Sequence, residues 1–204
     1  MIETKKIIIV SHATTLENEA NIHQGGSIQG TISEKGKLEL ELLSESLRYE
    51  TIDYVLCSPL RRCIETYNEI AKYHPALEVE ITEELRSKMS GVYEGKPRDL
   101  VNEELEREKI PIYEFKPERG ESTIELQTRT FNFINTRIPQ IPFKNILVVT
   151  HGGVITVLGL YLYSLRFEEY NRIKISKASI TRIQYDGEFK IISWNNTNHL
   201  KKTI

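Results

Sequence analysis

The stretch KKIIIVSHATTLEN, residues 5–18, decides the fold. Its run Ile7–Val10 is continuously apolar, whereas a strand with one wet face alternates apolar and polar residues. The run therefore reads as a strand covered on both faces, spanning Lys5–Ser11, and it delivers His12 to its C-terminal edge. A second stretch, NILVVTHGG at residues 145–153, repeats the arrangement: a strand Asn145–Thr150, then His151, then Gly152-Gly153. In open α/β sheets ligands bind beyond the carboxyl ends of the strands. Two such strands lying side by side would bring both imidazoles to one crevice.

Working outward, Tyr54–Ser58 and Val79–Thr82 read as further strands, and helices are expected between them. One follows Ser33 over EKGKLELELLSESL, with Leu38, Leu42 and Leu43 near helical spacing. A second is expected to use Ser58 as cap and Pro59 in its first turn, running to about Tyr73. Ser122 and Glu125 form a capping box ahead of a third, with Ile124, Phe131, Ile134 and Ile138 on one face. A fourth follows His151 and is apolar on nearly every side, which predicts burial. Asp186-Gly187-Glu188 between SITRIQYD and FKIISWN signals a hairpin. The expectation is a three-layer α/β/α fold with a mostly parallel central sheet and a C-terminal antiparallel hairpin. Residues 1–204 read as a single domain. Residues 96–120 are polar, charge-rich and broken by three prolines, and read as a cap over the site.

Composition narrows the partners. The 204 residues carry 27 basic and 29 acidic side chains, for a net charge of −2, and 39% are hydrophobic. That balance gives no electrostatic case for nucleic acid or an anionic membrane. Two cysteines, Cys57 and Cys63, lack any metal-ligand spacing and read as buried thiols. No leader or membrane span is visible, so a cytoplasmic location is the default expectation. Oligomeric state is not legible.

One histidine after a strand is ordinarily structural; two in matched contexts are not easily so explained. A third strand end adds Ser58-Pro59-Leu60-Arg61-Arg62, and the helix opening at Gly152 offers free N–H groups. Histidines, arginines and a helix N-terminus at one sheet edge point to an oxyanion site, for which a phosphoryl group is the natural occupant. His74 and His199, in polar surroundings, read as solvated residues. His23 lies close behind the first motif.

These residues resemble the histidine phosphatase superfamily, the phosphoglycerate mutase-like family, over almost the whole chain. The family's Arg-His-Gly-x-Thr-x-x-Asn corresponds to Ser11-His12-Ala13-Thr14-Thr15-Leu16-Glu17-Asn18, keeping His12, Thr15 and Asn18. Gln24-Gly25 and Ile32-Ser33-Glu34-Lys35-Gly36 follow in order. Ser58-Pro59-Leu60-Arg61-Arg62-Cys63-Ile64-Glu65-Thr66 matches Ser-x-Leu-x-Arg-x-x-x-Thr throughout. Gly91-Val92-Tyr93-Glu94-Gly95, Gly120-Glu121-Ser122 with Arg129, Val149-Thr150-His151-Gly152-Gly153 and Ala178-Ser179-Ile180-Thr181 complete the series.

The resemblance implies a phosphohistidine mechanism with His12 as nucleophile and with Arg62 and His151 on the phosphoryl oxygens. Ser11, Thr15, Asn18 and Gly152 would help to bind phosphate. Neutral imidazole is a competent nucleophile near pH 7. No metal or cofactor is implied, since arginines supply the positive charge. The substrate would be a small phosphorylated molecule.

The chain also departs from the pattern. Ser11 stands where the family has arginine, a loss of roughly 1.5–3 kcal/mol of charged hydrogen bonding. Ala13 replaces glycine. Ser87 stands where the family often has its general acid, which is typically worth about 10²–10⁴-fold. Glu94, with Glu83, Glu84 and Glu121, is a candidate for the acid, and Arg86, with Arg61 and Lys88, for the missing charge. Two readings follow: a phosphatase of reduced power, or a pseudo-phosphatase that holds an anionic ligand. Other chemistry on a non-phosphate substrate is a third.

Overall fold

The computed structural model describes residues 3–202. Its strands are β1 (Lys5–Ser11), β2 (Tyr54–Cys57), β3 (Glu78–Ile81), β4 (Asn145–Thr150), β5 (Ile180–Tyr185) and β6 (Phe189–Asn196). Its α-helices are α1 (Leu16–Glu19), α2 (Glu34–Leu47), α3 (Arg61–Ala71), α4 (Arg98–Glu108), α5 (Thr123–Gln140) and α6 (Gly152–Leu162). The strands form one sheet in the order β3-β2-β4-β1-β5-β6. The β3-β2-β4-β1 portion is parallel, while β5 runs antiparallel to β1 and to β6.

Alternation along β1 sorts its side chains onto two cores. Ile7 and Ile9 pack with Leu126, Ile134 and Ile138 of α5 and Val154, Ile155 and Leu158 of α6. Ile8 and Val10 pack with Leu40, Leu43 and Leu47 of α2 and with Cys63 and Ile70 of α3. Burial on both faces is why the strand carries no polar alternation. The three layers expected from the sequence are present, and α6 is buried along most of its length.

Local differences have local causes. In α2 the buried leucines are Leu40, Leu43 and Leu47, whereas Leu38 is exposed, so the apolar face is turned from the one expected. In α5 the capping box of Ser122 and Glu125 forms, but Ile124 is exposed and Leu126 and Thr130 take the inward positions. Helix α3 begins at Arg61 with Leu60 at the N-cap, not with Ser58 and Pro59, because the Ser58 side chain is turned onto His151. His74 is buried, not solvated: its Nε2 donates to the Leu47 carbonyl at 3.0 Å, satisfying an orphan acceptor at the end of α2. His199 is half-buried and donates to the Ala178 carbonyl at 3.0 Å. Cys57 and Cys63 are buried free thiols.

Two close approaches fix the loops around the site. Helix α2 abuts the turn after β1 so tightly that a Cβ on Gly36 would lie 2.0 Å from the Thr14 carbonyl oxygen. There the buried Glu39 carboxylate accepts from the Thr14 amide and hydroxyl at 2.8 and 2.9 Å. Residues 96–120 form α4 and a turn-rich return, held by Val101, Leu105 and Tyr93 with Val92, Ile112 and Phe115. Among the described residues no helix is long and apolar enough to cross a membrane.

Candidate active site

The parallel register pairs Ser11 with Thr150 and Cys57 with Val149. Ladder-like bonds continue one residue past the strands: the His12 amide donates to the Thr150 carbonyl at 3.0 Å, and the Ser58 amide to the Val149 carbonyl at 3.0 Å. His12, Ser58 and His151 therefore emerge together. The His12 and His151 ring centroids lie 5.2 Å apart at 60°, and both residues are almost wholly buried.

Hydrogen bonds orient each ring. His12 Nδ1 lies 2.7 Å from the Ala13 carbonyl oxygen. A carbonyl can only accept, so Nδ1 carries the proton and the neutral ring keeps its lone pair on Nε2. His151 Nε2 lies 2.7 Å from Ser58 Oγ, which also accepts from the Leu60 amide at 3.4 Å. With the hydroxyl donating into Nε2, each of these groups is used once and His151 carries its proton on Nδ1. Burial lowers the pKa of both imidazoles well below the usual histidine range, and the cations Lys177 and Arg62 lower each further. Both rings are neutral at pH 7.

Around them is a crevice of about 290 Å³. His12, Asn18, His23, Gln24, Arg62, Ser87, Lys88, Arg98, His151, Gly152 and Lys177 line it. Four of these are lysine or arginine, and no carboxylate is among the lining residues. In a chain with a net charge of −2, that local excess of positive charge selects an anion. Helix α6 adds its N-terminal amides at Gly152 and Gly153, with no side chain capping them.

Arg62 is the largest fully buried side chain. Its Nη1 donates to the Ile28 carbonyl at 2.5 Å and its Nη2 to the Gly25 carbonyl at 3.0 Å, so the loop after α1 wraps the guanidinium. Nε is buried without a partner, a donor left over in a site built for oxygens.

The other sequence candidates divide into those at the crevice and those that hold it. Asn18, Ser87 and Gly152 line it. Thr15 caps α1 and accepts from Gln24 Nε2 at 2.7 Å, so it positions the loop from behind. The Ser11 side chain is fully buried in β1, its hydroxyl nearest the His12 carbonyl, and it is not among the lining residues. Glu94 is held away from the crevice: its carboxylate accepts the amides of Gly26, Ser27 and Ser90 at 2.9–3.0 Å. A Cβ on Gly25, whose φ is +56°, would lie 2.1 Å from that carboxylate. Arg86 is taken up by the Gly26 carbonyl at 2.5 Å and by Glu83. Glu121 pairs with Arg129 at 2.7 Å. Arg61 pairs with Glu65 on the exposed side of α3.

His23, Arg98 and Lys177, which lie outside the matched motifs, also enter the site. His23 lines the crevice, with its pKa lowered to about 4 by partial burial and the neighbouring Arg98 and Lys88. Lys177, from the turn before β5, places Nζ 3.2 Å from His12 Nε2. Among the described residues no group of three or more His, Cys, Asp or Glu side chains could hold a metal ion.

Relatives share this architecture. A Schizosaccharomyces pombe protein named "Probable phosphatase" is 26% identical, over 96% of this chain and 95% of its own length. "Phosphoglycerate mutase-like protein 4" of Arabidopsis thaliana is 27% identical, over 99% of this chain and 90% of its own. The structure of mycobacterial glucosyl-3-phosphoglycerate phosphatase in complex with VO3 superposes with a TM-score of 0.81, covering 95% of this chain and all of that one at 19% identity. The pattern that defines the family matches residues 7–197, and this chain accordingly belongs to the histidine phosphatase superfamily (branch 1).

Proposed function

We propose that the chain hydrolyses phosphomonoesters of a small molecule through a phosphohistidine at His12. One observation carries this reading: the Ala13 carbonyl holds the proton of neutral His12 on Nδ1, so the Nε2 lone pair is unprotonated and turned toward a cationic crevice lined by no carboxylate. Nε2 attacks phosphorus and the P–O ester bond breaks, its electron pair leaving with the alcohol oxygen. Arg62, His151 and the α6 amides hold the phosphoryl oxygens. Water then attacks the phosphohistidine, the P–N bond breaks, and orthophosphate leaves as Nε2 recovers its lone pair. The mycobacterial neighbour is a phosphatase in complex with VO3, which supports an oxyanion as the kind of ligand this chain takes. Residues 96–120, which bring Arg98 to the rim, act as the cap that selects the rest of the substrate.

With no carboxylate at the crevice, the leaving oxygen takes its proton from solvent. p-Nitrophenyl phosphate, whose leaving group needs no proton, should therefore be turned over about 10²–10⁴-fold faster than an alkyl phosphate. His12→Ala should abolish that turnover. Equal rates for wild type and His12→Ala across a phosphoester panel would remove the proposal.

The missing acid also supports a second reading, a protein that holds a phosphorylated ligand without cleaving it. It predicts thermal stabilisation by the ligand with no phosphate release.

A further inference from the structure

We propose that Lys177 is the second cation of the phosphoryl site, supplying from β5 the charge that Ser11 does not supply from β1. The inference rests on the phosphomonoesterase reading and adds a residue to it.

Placement is set by the backbone. The antiparallel pairing of β5 with β1 continues past both strands: the Ser11 amide donates to the Ser179 carbonyl, and the Ala178 amide to the His12 carbonyl, each at 3.2 Å. Lys177 thus stands beside His12 as a matter of register. Ala178 holds the aim with a left-handed φ of +50°, a conformation that a residue with a Cβ adopts at a cost. Flanking bonds hold the turn there. Asn195 Oδ1 accepts the Ser176 amide at 2.8 Å, Asn195 Nδ2 donates to the Lys174 carbonyl at 3.0 Å, and His199 donates to the Ala178 carbonyl.

Three of the other cations are engaged elsewhere. Arg86 and Arg61 have acidic partners, and Lys88 Nζ rests on Thr123 Oγ1 at 3.2 Å. Arg98 also lines the crevice and acts on Lys177, but it comes from the cap and keeps more of its surface in solvent than Lys177 does. Lys177 has no salt-bridge partner among the described residues, and its Nζ contact is the nucleophile itself, at 3.2 Å. That contact covers the lone pair that must bond phosphorus. When a phosphoryl group arrives, Nζ has to turn from Nε2 onto an equatorial oxygen. One donor therefore covers the nucleophile in the empty site and neutralises charge once phosphorus binds, an interaction gained on the way to the transition state.

The titratable and charged groups around Nζ are His12 in contact, His151 beside it, and Arg98, Arg62, Cys63 and Glu39. Burial and the two arginines bring its pKa down to about 7. The free protein should then lose phosphate affinity as pH rises through neutrality, because the deprotonated amine no longer carries charge.

The test compares wild type, Lys177→Met, Lys177→Arg and the surface control Arg61→Gln. It reads orthovanadate inhibition of p-nitrophenyl phosphate hydrolysis, orthophosphate binding by calorimetry, and kcat/KM against pH. Lys177→Met should weaken both oxyanions by roughly 10- to 100-fold, the scale of one charged hydrogen bond. Lys177→Arg should restore most of that affinity and remove the fall of kcat/KM above about pH 7. Arg61→Gln should match wild type. If Lys177→Met, folded by its thermal transition, binds within about threefold of wild type and keeps the alkaline fall, the assignment is overturned. A wild type that binds orthophosphate without turnover removes the phosphatase reading alone, and the Lys177 assignment then stands or falls on the calorimetry. A wild type that binds neither oxyanion overturns both.

Discussion

Acidification below pH 6.5 should destabilise this protein through two residues in particular, His12 and His151. Each is almost fully buried and neutral, and each pKa lies well below its unfolded value of about 6.5. Between the folded and unfolded values the unfolded chain binds the extra proton, so stability falls as pH falls. One such histidine costs about 1.4 kcal/mol per pH unit across that window. From pH 6.5 to 5.0 the upper limit is about 2 kcal/mol for each ring, reached where the folded ring stays neutral across the whole window. Lys177, with its pKa at about 7, is mostly protonated throughout and contributes little to the slope. The assay is urea unfolding of wild type, His12→Asn and His151→Gln at half-unit pH steps. Carboxylates and the remaining histidines titrate in all three proteins and cancel in the differences. The stability difference between wild type and each variant should change steadily across the window, by up to about 2 kcal/mol, wild type losing more. Parallel curves would refute the reasoning, since they would mean that the rings charge at their unfolded pKa and that the nucleophile is not kept neutral by burial.

Further outcomes follow from the same contacts. Glu94→Ala removes the acceptor for three loop amides and should cost about 2–4 kcal/mol, lowering Tm by roughly 5–15 °C in a calorimetric scan. A variant that keeps its Tm but loses turnover would instead place Glu94 in the chemistry. Ser58→Ala leaves His151 Nε2 with only the Cys63 thiol at 3.4 Å and should lower kcat/KM for p-nitrophenyl phosphate about tenfold. Lys177→Met removes a charge whose burial is unfavourable below its folded pKa of about 7. The variant's stability gain over wild type should be largest at and below pH 7 and shrink toward pH 10, where the wild-type amine is neutral in the folded state. Urea unfolding at pH 6, 8 and 10 reads that trend.

The sheet was legible because both of its central strands are apolar without alternation, which only two covered faces explain. Matched histidines after β1 and β4 then located the crevice. What the sequence could not convey was rotation and reach. Leu38 and Ile124 sit at helical spacing, but the turn of each helix against the sheet leaves them in water. His74 looks solvated in a polar stretch, yet the end of α2 needs a donor and takes it. Glu94 and Thr15 belong to the motif as its framework, since their oxygens are consumed by loop amides and a glutamine. Lys177 went unseen because it lies in no motif and 165 residues separate it from His12. Only the antiparallel register of β5 and the left-handed backbone of Ala178 bring the two together. A lysine directly before Ala178-Ser179 was the available signal, and it acquires meaning once β5 is known to pair with β1.

The central claim is that His12 Nε2 forms a bond to phosphorus. Intact-protein mass spectrometry at neutral to alkaline pH, immediately after mixing with p-nitrophenyl phosphate or phosphoramidate, tests it directly. The account predicts a gain of one phosphoryl mass on wild type, mapped to His12 by peptide sequencing and absent from His12→Ala. Turnover of the substrate with the same phosphoryl mass retained by His12→Ala, or mapped to any other residue, would contradict it.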